Sequence, residues 1–278
     1  MKKVIAALAV GAAVALAFGG AEAKEWKKVR IGTEGAYAPW NITDASGKLA
    51  GFEIDLGNDL CKRMKVECEF VAQDWDGIIP ALQQGKYDAI MSAMTITDER
   101  RKILDFTVPY GNDPSSFITD KKSPLASMPK TDILDIATPP GQKAIEDLTK
   151  ALAGKTVGVQ TSTTQLAFLE KHLPKLSVRT YDKIDNAGID LAAGRVDAVI
   201  GDRSVLEPII KDDKGGNIVM FGPNLVRGVL GEGMGLGLRK QDADLKAMFD
   251  KAIAEATKDG TVSKLSKQHF GYDISIKQ

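Results

Sequence analysis

Histidine and cysteine are nearly missing from this chain. Two of each in 278 residues leave too few ligands for the usual zinc or iron–sulfur sites, and no C-x-x-C pair is present. Neither sign of charge is in excess, since 37 basic residues balance 37 acidic ones. The chain therefore offers no net field to a nucleic acid or an anionic membrane surface. Low-complexity runs are absent. Beyond residue 18 no apolar stretch approaches the roughly 20 residues that span a bilayer. Glycines 231, 233, 235 and 237 lack the G-x-G-x-x-G spacing of a dinucleotide site, and no P-loop lysine follows. A hinge or a closely packed strand accounts for them better.

The first residues have a different character. Lys2 and Lys3 precede an apolar run over 4–18 and the small-x-small triplet Ala21-Glu22-Ala23. This predicts a cleaved secretory signal peptide over 1–23 and an exported chain starting near Lys24. A membrane anchor would need a longer apolar run. Removing 1–23 takes away two lysines and one glutamate, so the remainder stays within one charge of neutral. Its length allows one large domain or two small ones. The two cysteines, Cys61 and Cys68, are closely spaced. In an oxidising compartment they predict one disulfide, with a pair of buried thiols as the alternative.

Short β runs alternate with amphipathic helices. Strands are expected over 28–32, 70–72 and 87–91, and helices over 55–64 and 75–84, the second closed by Gly85. Glu53 and Asp55 sit where the helix dipole favours acids. A second series follows, with strands over 155–159, 178–181 and 196–200 and helices over 163–173 and 186–193. Each series reads βαβαβ, the pattern of a parallel sheet covered by helices. One segment nearly repeats: "LQQGKYDAIMS" at 82–92 and "LAAGRVDAVIG" at 191–201. Its recurrence at the same point of both series implies two similar α/β lobes. The tail, a Gly-rich strand and two helices, is expected to cross back to the first lobe.

Ligands of open parallel α/β sheets collect beyond the carboxyl ends of the strands. In lobe one those ends are Thr33 to Tyr37, Gln73 to Trp75 and Ser92 to Thr95. In lobe two they are Gln160 to Thr164 and Gly201-Asp202. If the lobes face each other, these segments line one cleft. Arg100 could grip a carboxylate with paired charge-assisted hydrogen bonds. Ser92, Thr95 and the amides around Thr163 and Thr164 could donate to the same group. Asp202 could accept from an ammonium, Tyr37 and Trp75 could flank an extended side chain, and Glu34 could meet a distal cation. Carboxylate, ammonium and distal cation together describe a basic amino acid.

Each residue also has a plainer reading. By type alone Arg100 suits a solvated surface, Asp202 could cap the following helix, Trp75 could be core and Glu34 a turn residue. Asp74 and Asp76 read as helix-start acids. His172 and His269 show no functional pattern. The joint placement at strand ends outweighs any single residue.

The stretches "RIGTEGAYAPW", "GFEIDLGNDLCKRM", "DAIMSAMTITDERR", "VGVQTSTTQ", "AAGRVDAVIGD" and "GMGLGLRK" resemble the periplasmic amino-acid-binding proteins of ABC importers. The likeness is to the lysine/arginine/ornithine- and histidine-binding type, and it covers almost the whole exported chain. It implies a type II periplasmic-binding-protein fold, α/β, with two lobes joined by two hinge crossovers. The implied boundaries are lobe one over 24–113, lobe two over 114–223, a return hinge over 224–233 and lobe one again over 234–278. The resemblance makes Arg100 the α-carboxylate residue and Asp202 the α-ammonium residue. Ser92, Thr95, Thr163 and Thr164 become further contacts, Tyr37 an aromatic wall, Glu34 the acid for the side chain, and Cys61–Cys68 the family disulfide.

Departures from the pattern matter. Ala93 replaces a frequent serine, so its contact must be backbone only. Trp75 replaces a smaller apolar residue or Phe. "TEGAYAPW", "AQDWDGI" and the insertion around 131–150 look more like the octopine- and nopaline-binding branch, whose arginine conjugates carry no free primary α-ammonium. That branch tends to lack the aspartate found here at 202. A buried aspartate without a cation is costly, which favours a plain amino acid with a cationic side chain over an opine.

The expectation is a periplasmic solute-binding protein, monomeric, without cofactor or metal, that closes on its ligand and presents it to an ABC permease and its ATPase. Chemistry on the ligand is not expected. The same fold also hosts cyclohexadienyl dehydratases, which need an acid or base at the reacting carbon.

Overall fold

In the computed structural model, residues 25–276 are described; the expected signal peptide lies outside them. The chain runs β1 (Lys28–Thr33), β2 (Ala36–Tyr37), β3 (Asn41–Thr43), β4 (Leu49–Ala50), α1 (Phe52–Met64), β5 (Glu67–Ala72), α2 (Ile78–Gln83), β6 (Ala89–Ile90), α3 (Asp98–Arg101), β7 (Asp105–Phe106) and β8 (Ser115–Asp120). It continues through β9 (Ile133–Asp135), α4 (Pro139–Ala151), β10 (Thr156–Gln160), α5 (Thr164–His172), β11 (Ser177–Tyr181), α6 (Ile184–Ala192), β12 (Ala198–Asp202), α7 (Arg203–Asp212), β13 (Ile218–Val226), β14 (Gly237–Leu238), α8 (Ala243–Lys258) and α9 (Thr261–Phe270). No helix among the described residues is long and apolar enough to cross a membrane.

Two sheets carry the two lobes. The first has the order β5-β1-β6-β14-β7 and the second β11-β10-β12-β8-β13-β9. In each, the earliest strand of the βαβαβ run lies at the centre of three parallel strands. Each trio continues into an antiparallel strand, β14 in the first sheet and β8 in the second. The small β2-β3-β4 sheet sits apart, within lobe one.

The repeated segment has a physical role. Asp88 accepts the Arg30 amide at 2.9 Å, and Asp197 accepts the Thr156 amide at 2.8 Å. Each aspartate therefore satisfies the start of its central strand. Each also pairs with a cation, Arg30 at 3.1 Å and Lys155 at 3.0 Å. The glycines before them, Gly85 and Gly194, have φ of 75° and 68°, a conformation that ends a helix at little steric cost.

Helix α1 begins earlier than its periodicity suggests, at Phe52. Leu56 and Leu60 follow Phe52 at four-residue steps and are fully buried, one stripe of an amphipathic helix. Glu53 is not a solvent-facing dipole partner. It is fully buried, and it accepts from Asn41 Nδ2 at 2.7 Å, from the Ala93 amide at 2.7 Å and from the Tyr110 hydroxyl. The expected helix over 75–84 is a 3-10 turn, Trp75–Gly77, leading into α2. Cys61 and Cys68 are bonded, tying the end of α1 to β5.

The return segment approaches the cleft closely. Gly231 has φ of 78°, and a Cβ there would lie 2.5 Å from the Ile96 carbonyl oxygen. Only glycine fits such a place. Residues 224–226 of the expected return hinge lie inside β13, which runs on to Val226 in the second sheet. The largest apolar cluster links Leu56, Leu60, Trp40 and Tyr110 of lobe one to Val205 and Leu206 of α7, and Trp40 Nε1 donates to Ser204 Oγ at 2.8 Å.

Candidate functional site

All ten residues singled out above border one cleft: Glu34, Tyr37, Trp75, Ser92, Ala93, Thr95, Arg100, Thr163, Thr164 and Asp202. Gln160 and Gln165 complete its wall.

The strand ends place each group. Glu34 follows β1, is 8% exposed, and its amide donates to Ser92 Oγ at 2.9 Å. Burial pushes its carboxyl up to about 7, against the opposing hydrogen bond from Gln160. Ala93 adopts φ of 45°. Its amide is committed to Glu53 at 2.7 Å, so only its carbonyl is left for a backbone contact. Arg100 stands on α3, started by the Thr97 hydroxyl, which accepts the Arg100 amide at 3.2 Å. It is half-buried rather than a free surface charge. Its Nη1 donates to the Thr95 carbonyl at 2.8 Å and its Nη2 to the Ser162 carbonyl of lobe two at 3.3 Å. Burial pulls the guanidinium down to about 10, with Asp202 and Tyr37 acting the other way. The Trp75 ring lies 5.2 Å below that guanidinium, a cation–π distance, while the same side chain packs on the apolar cluster around Ile78 and Tyr87.

Lobe two supplies the complement. Asp202 ends β12, is 4% exposed, and occupies the N-cap position of α7 without capping it. Its two oxygens instead accept from Tyr37 Oη at 2.8 Å and Gln165 Nε2 at 2.8 Å. Burial holds the carboxyl above its usual range, with Tyr37, Gln165 and Arg100 opposing. The Tyr37 hydroxyl is driven well up by burial and by Asp202. Thr163 caps α5, accepting the Leu166 amide at 3.2 Å and donating to the Gln160 carbonyl at 2.8 Å. The Thr164 and Gln165 amides precede that capped position and have no carbonyl partner within the helix.

Hydrogen bonds cross the cleft from Tyr37 to Asp202, from Gln160 to Glu34 at 2.8 Å, from Arg100 to the Ser162 carbonyl and from Ser162 Oγ to Asp76 at 2.6 Å. Asp76 is thus more than a helix-start acid. Among the described residues no group of three or more His, Cys, Asp or Glu is placed to hold a metal ion.

Gln160 and Gln165 carry chemistry that residue type did not single out. The repeat contains a signal for Gln160. Gly32 pairs with Ile90, and Gly158 pairs with Val199, while Ile90 and Val199 are matching positions of the repeated segment. Two residues beyond each glycine stand Glu34 and Gln160. They are counterparts in the two lobes, and they meet.

The fold and this cleft agree with what the chain is similar to. It belongs to the bacterial extracellular solute-binding proteins, family 3, which it matches over residues 29–272. The octopine-binding periplasmic protein of Rhizobium meliloti is 41% identical, covering 95% of this chain and 97% of that one. The L-arginine-binding protein of Pseudomonas aeruginosa is 38% identical over 89% of this chain and 90% of its own. Among solved structures, an ancestral arginine-binding protein bound to arginine superposes with a TM-score of 0.75 at 33% identity, covering 88% of this chain and 99% of that one.

Proposed function

We propose that this chain is a periplasmic solute-binding protein that captures an L-amino acid with a cationic side chain between its lobes and delivers it to an ABC importer. One observation carries the reading: Arg100 and Glu34 of lobe one and Asp202 of lobe two converge on a single cavity. Arg100 and the α5 amides take the α-carboxylate. Asp202, oriented by Tyr37 and Gln165, takes the α-ammonium. Glu34 meets the side-chain cation, whose charge offsets the cost of burying an ionised carboxylate. Ser92, Thr95, Thr163 and Thr164 complete the polar wall, with Tyr37 and Trp75 along the ligand. Relatives that bind arginine, lysine, ornithine and histidine support this choice.

Closure brings both lobes onto one ligand and so couples binding to shape. The lobes would divide as 24–113 with 234–278, and 114–223, with residues 1–23 removed on export. The closed monomer would then meet the permease. No reaction is assigned to the cleft, because each charged group has a fixed ligand charge to answer; turnover of prephenate or arogenate would overturn that.

The octopine-binding relative and Trp75 favour a second reading, an arginine-derived opine. Both Asp202 oxygens already accept hydrogen bonds. An opine would bring a further carboxylate against that buried acid, which is unfavourable. A thermal-shift screen of the twenty L-amino acids, ornithine, citrulline, octopine and nopaline separates the two. A true ligand at about a hundred times Kd adds about 2.7 kcal/mol of stability. Shifts confined to opines would transfer the assignment, and shifts confined to neutral or acidic amino acids would remove Glu34 as the selectivity residue.

A further inference from the structure

Gln160 bears on the kind of cation the cleft accepts. We propose that it is a specificity-determining residue, selecting a guanidinium over an ammonium group at the distal end of the ligand. The proposal rests on the cationic-ligand reading above.

The orientation of its amide is determined by its surroundings. Gln160 Nε2 lies 2.8 Å from Glu34 Oε1 and 3.0 Å from the Asp182 carbonyl oxygen. Both partners are acceptors here, so the nitrogen must face them; the opposite flip would set oxygen against two oxygens. The Gln160 carbonyl oxygen is therefore left over, on a residue that borders the cavity and is 3% exposed. Among the described residues no group donates to it. Beside it, Glu34 Oε2 likewise has no donor among the described residues. The distal wall thus offers two acceptor oxygens, one from each lobe and only one of them charged.

Charge and donor count separate at such a wall. A carboxylate attracts any cation, lysine and arginine alike. A neutral carbonyl adds little charge attraction, but it rewards a ligand with a further N–H to give. A guanidinium is planar, weakly hydrated and carries donors on three nitrogens. An ammonium is a compact, strongly hydrated point charge that Glu34 and water can satisfy. Burying the guanidinium against both oxygens pairs donors spread over its separate nitrogens that would otherwise be stripped of water, whereas an ammonium, with its donors on one nitrogen and its hydration kept, gains less from the Gln160 carbonyl. A site built to receive a given donor rejects the analogue that lacks it. The pairing forms only when the lobes meet, so the discrimination belongs to the closed state.

Calorimetric titration of the purified protein with L-arginine and L-lysine tests this. The unaltered protein should prefer arginine by about tenfold or more. Gln160→Met keeps the length and loses the amide. It should weaken arginine by roughly 10- to 100-fold and lysine by less than about threefold, bringing the ratio toward one. Gln160→Asn, which withdraws the amide by one methylene, reads the same ratio if the methionine variant does not fold. A parallel loss for both ligands, or a ratio that stays put in a folded variant, would overturn the proposal by making Gln160 only a prop for Glu34. Equal affinity of the unaltered protein for arginine and lysine would overturn it too, leaving the basic-ligand reading intact. Failure to bind arginine, lysine, ornithine and histidine alike would remove that reading as well.

Discussion

Ala93 and Asp202 stand at the same step of the internal repeat, five residues after Asp88 and Asp197. One surrenders its amide to the buried Glu53; the other aims a carboxylate at Tyr37 and Gln165. The lobes are thus copies in backbone and complements in charge. The lobe that holds the arginine has no acid at this step, and the lobe that holds the acid receives the arginine's second hydrogen bond through Ser162. A zwitterion matches that asymmetry, and four consequences can be measured.

Arg100→Ala should leave the protein folded, since the Arg100 side chain donates to carbonyl oxygens at the cleft edge and lies over the Trp75 ring. Its affinity for the ligand should drop by roughly 30- to 5,000-fold, the effect of removing one partner of a buried charge pair. Calorimetry with circular dichroism checks both halves. Unchanged affinity would dismiss Arg100 as the carboxylate residue.

Binding should weaken in acid. In the cleft burial holds Glu34 near 7 and Asp202 above its usual range. A ligand cation favours both carboxylates ionised. Above pH 8 the two are already charged and no proton need leave. As pH falls through 7, binding must expel a proton from Glu34, so affinity declines by up to about tenfold per pH unit for each protonated group. The sign for folding is opposite: a raised carboxyl pKa favours the closed fold most below its unfolded value and opposes it as pH rises through about 7. Titrations in two buffers of different ionisation enthalpy count the protons released. A flat profile from pH 8 to 5.5 would contradict the burial of Glu34.

Glu53→Gln should cost about 1–3 kcal/mol of stability. Its two oxygens accept three hydrogen bonds, from Asn41, Ala93 and Tyr110. An amide at this place can accept on one side only, and its own N–H groups face a donor. Urea unfolding measures the change. A midpoint equal to that of the unaltered protein would show that the network rearranges freely.

Reducing the Cys61–Cys68 bond should lower stability by about 2.5 kcal/mol at most, because the closed loop is short and constrains few unfolded conformations. Ligand affinity should hold, since the bridge ties α1 to β5 and does not border the cleft. Denaturant midpoints with and without reductant give the first quantity and calorimetry the second.

The parallel cores were legible because period and punctuation agreed. Apolar runs ended at Gly85 and Gly194, and the repeated Gly-basic-x-Asp segment marked equivalent strands. Other elements were hidden by residues with a double meaning. The Pro-Pro-Gly run at 139–141 looks like a breaker, yet proline is at ease in a first helical turn and Thr138 caps it. Gly222-Pro223 inside β13 reads as a loop, but the strand absorbs it as an irregularity between Phe221 and Leu225. Among the site residues, charge drew attention to Glu34, Arg100 and Asp202. Gln160 and Gln165 are neutral, and their importance comes from what they touch across the cleft. Such contacts depend on how the two lobes meet, which no local pattern encodes.

The place of β14 has a consequence for assembly. It lies between β6 and β7, two strands from the first 106 residues, although it comes from residues 237–238. In a chain that emerges amino-terminus first, β7 has no neighbour until that late segment arrives, whereas every strand of the second sheet lies within 115–226. The later lobe is therefore the one that can be completed first. The earlier lobe waits with an open edge, its closure carrying the entropy of a long loop.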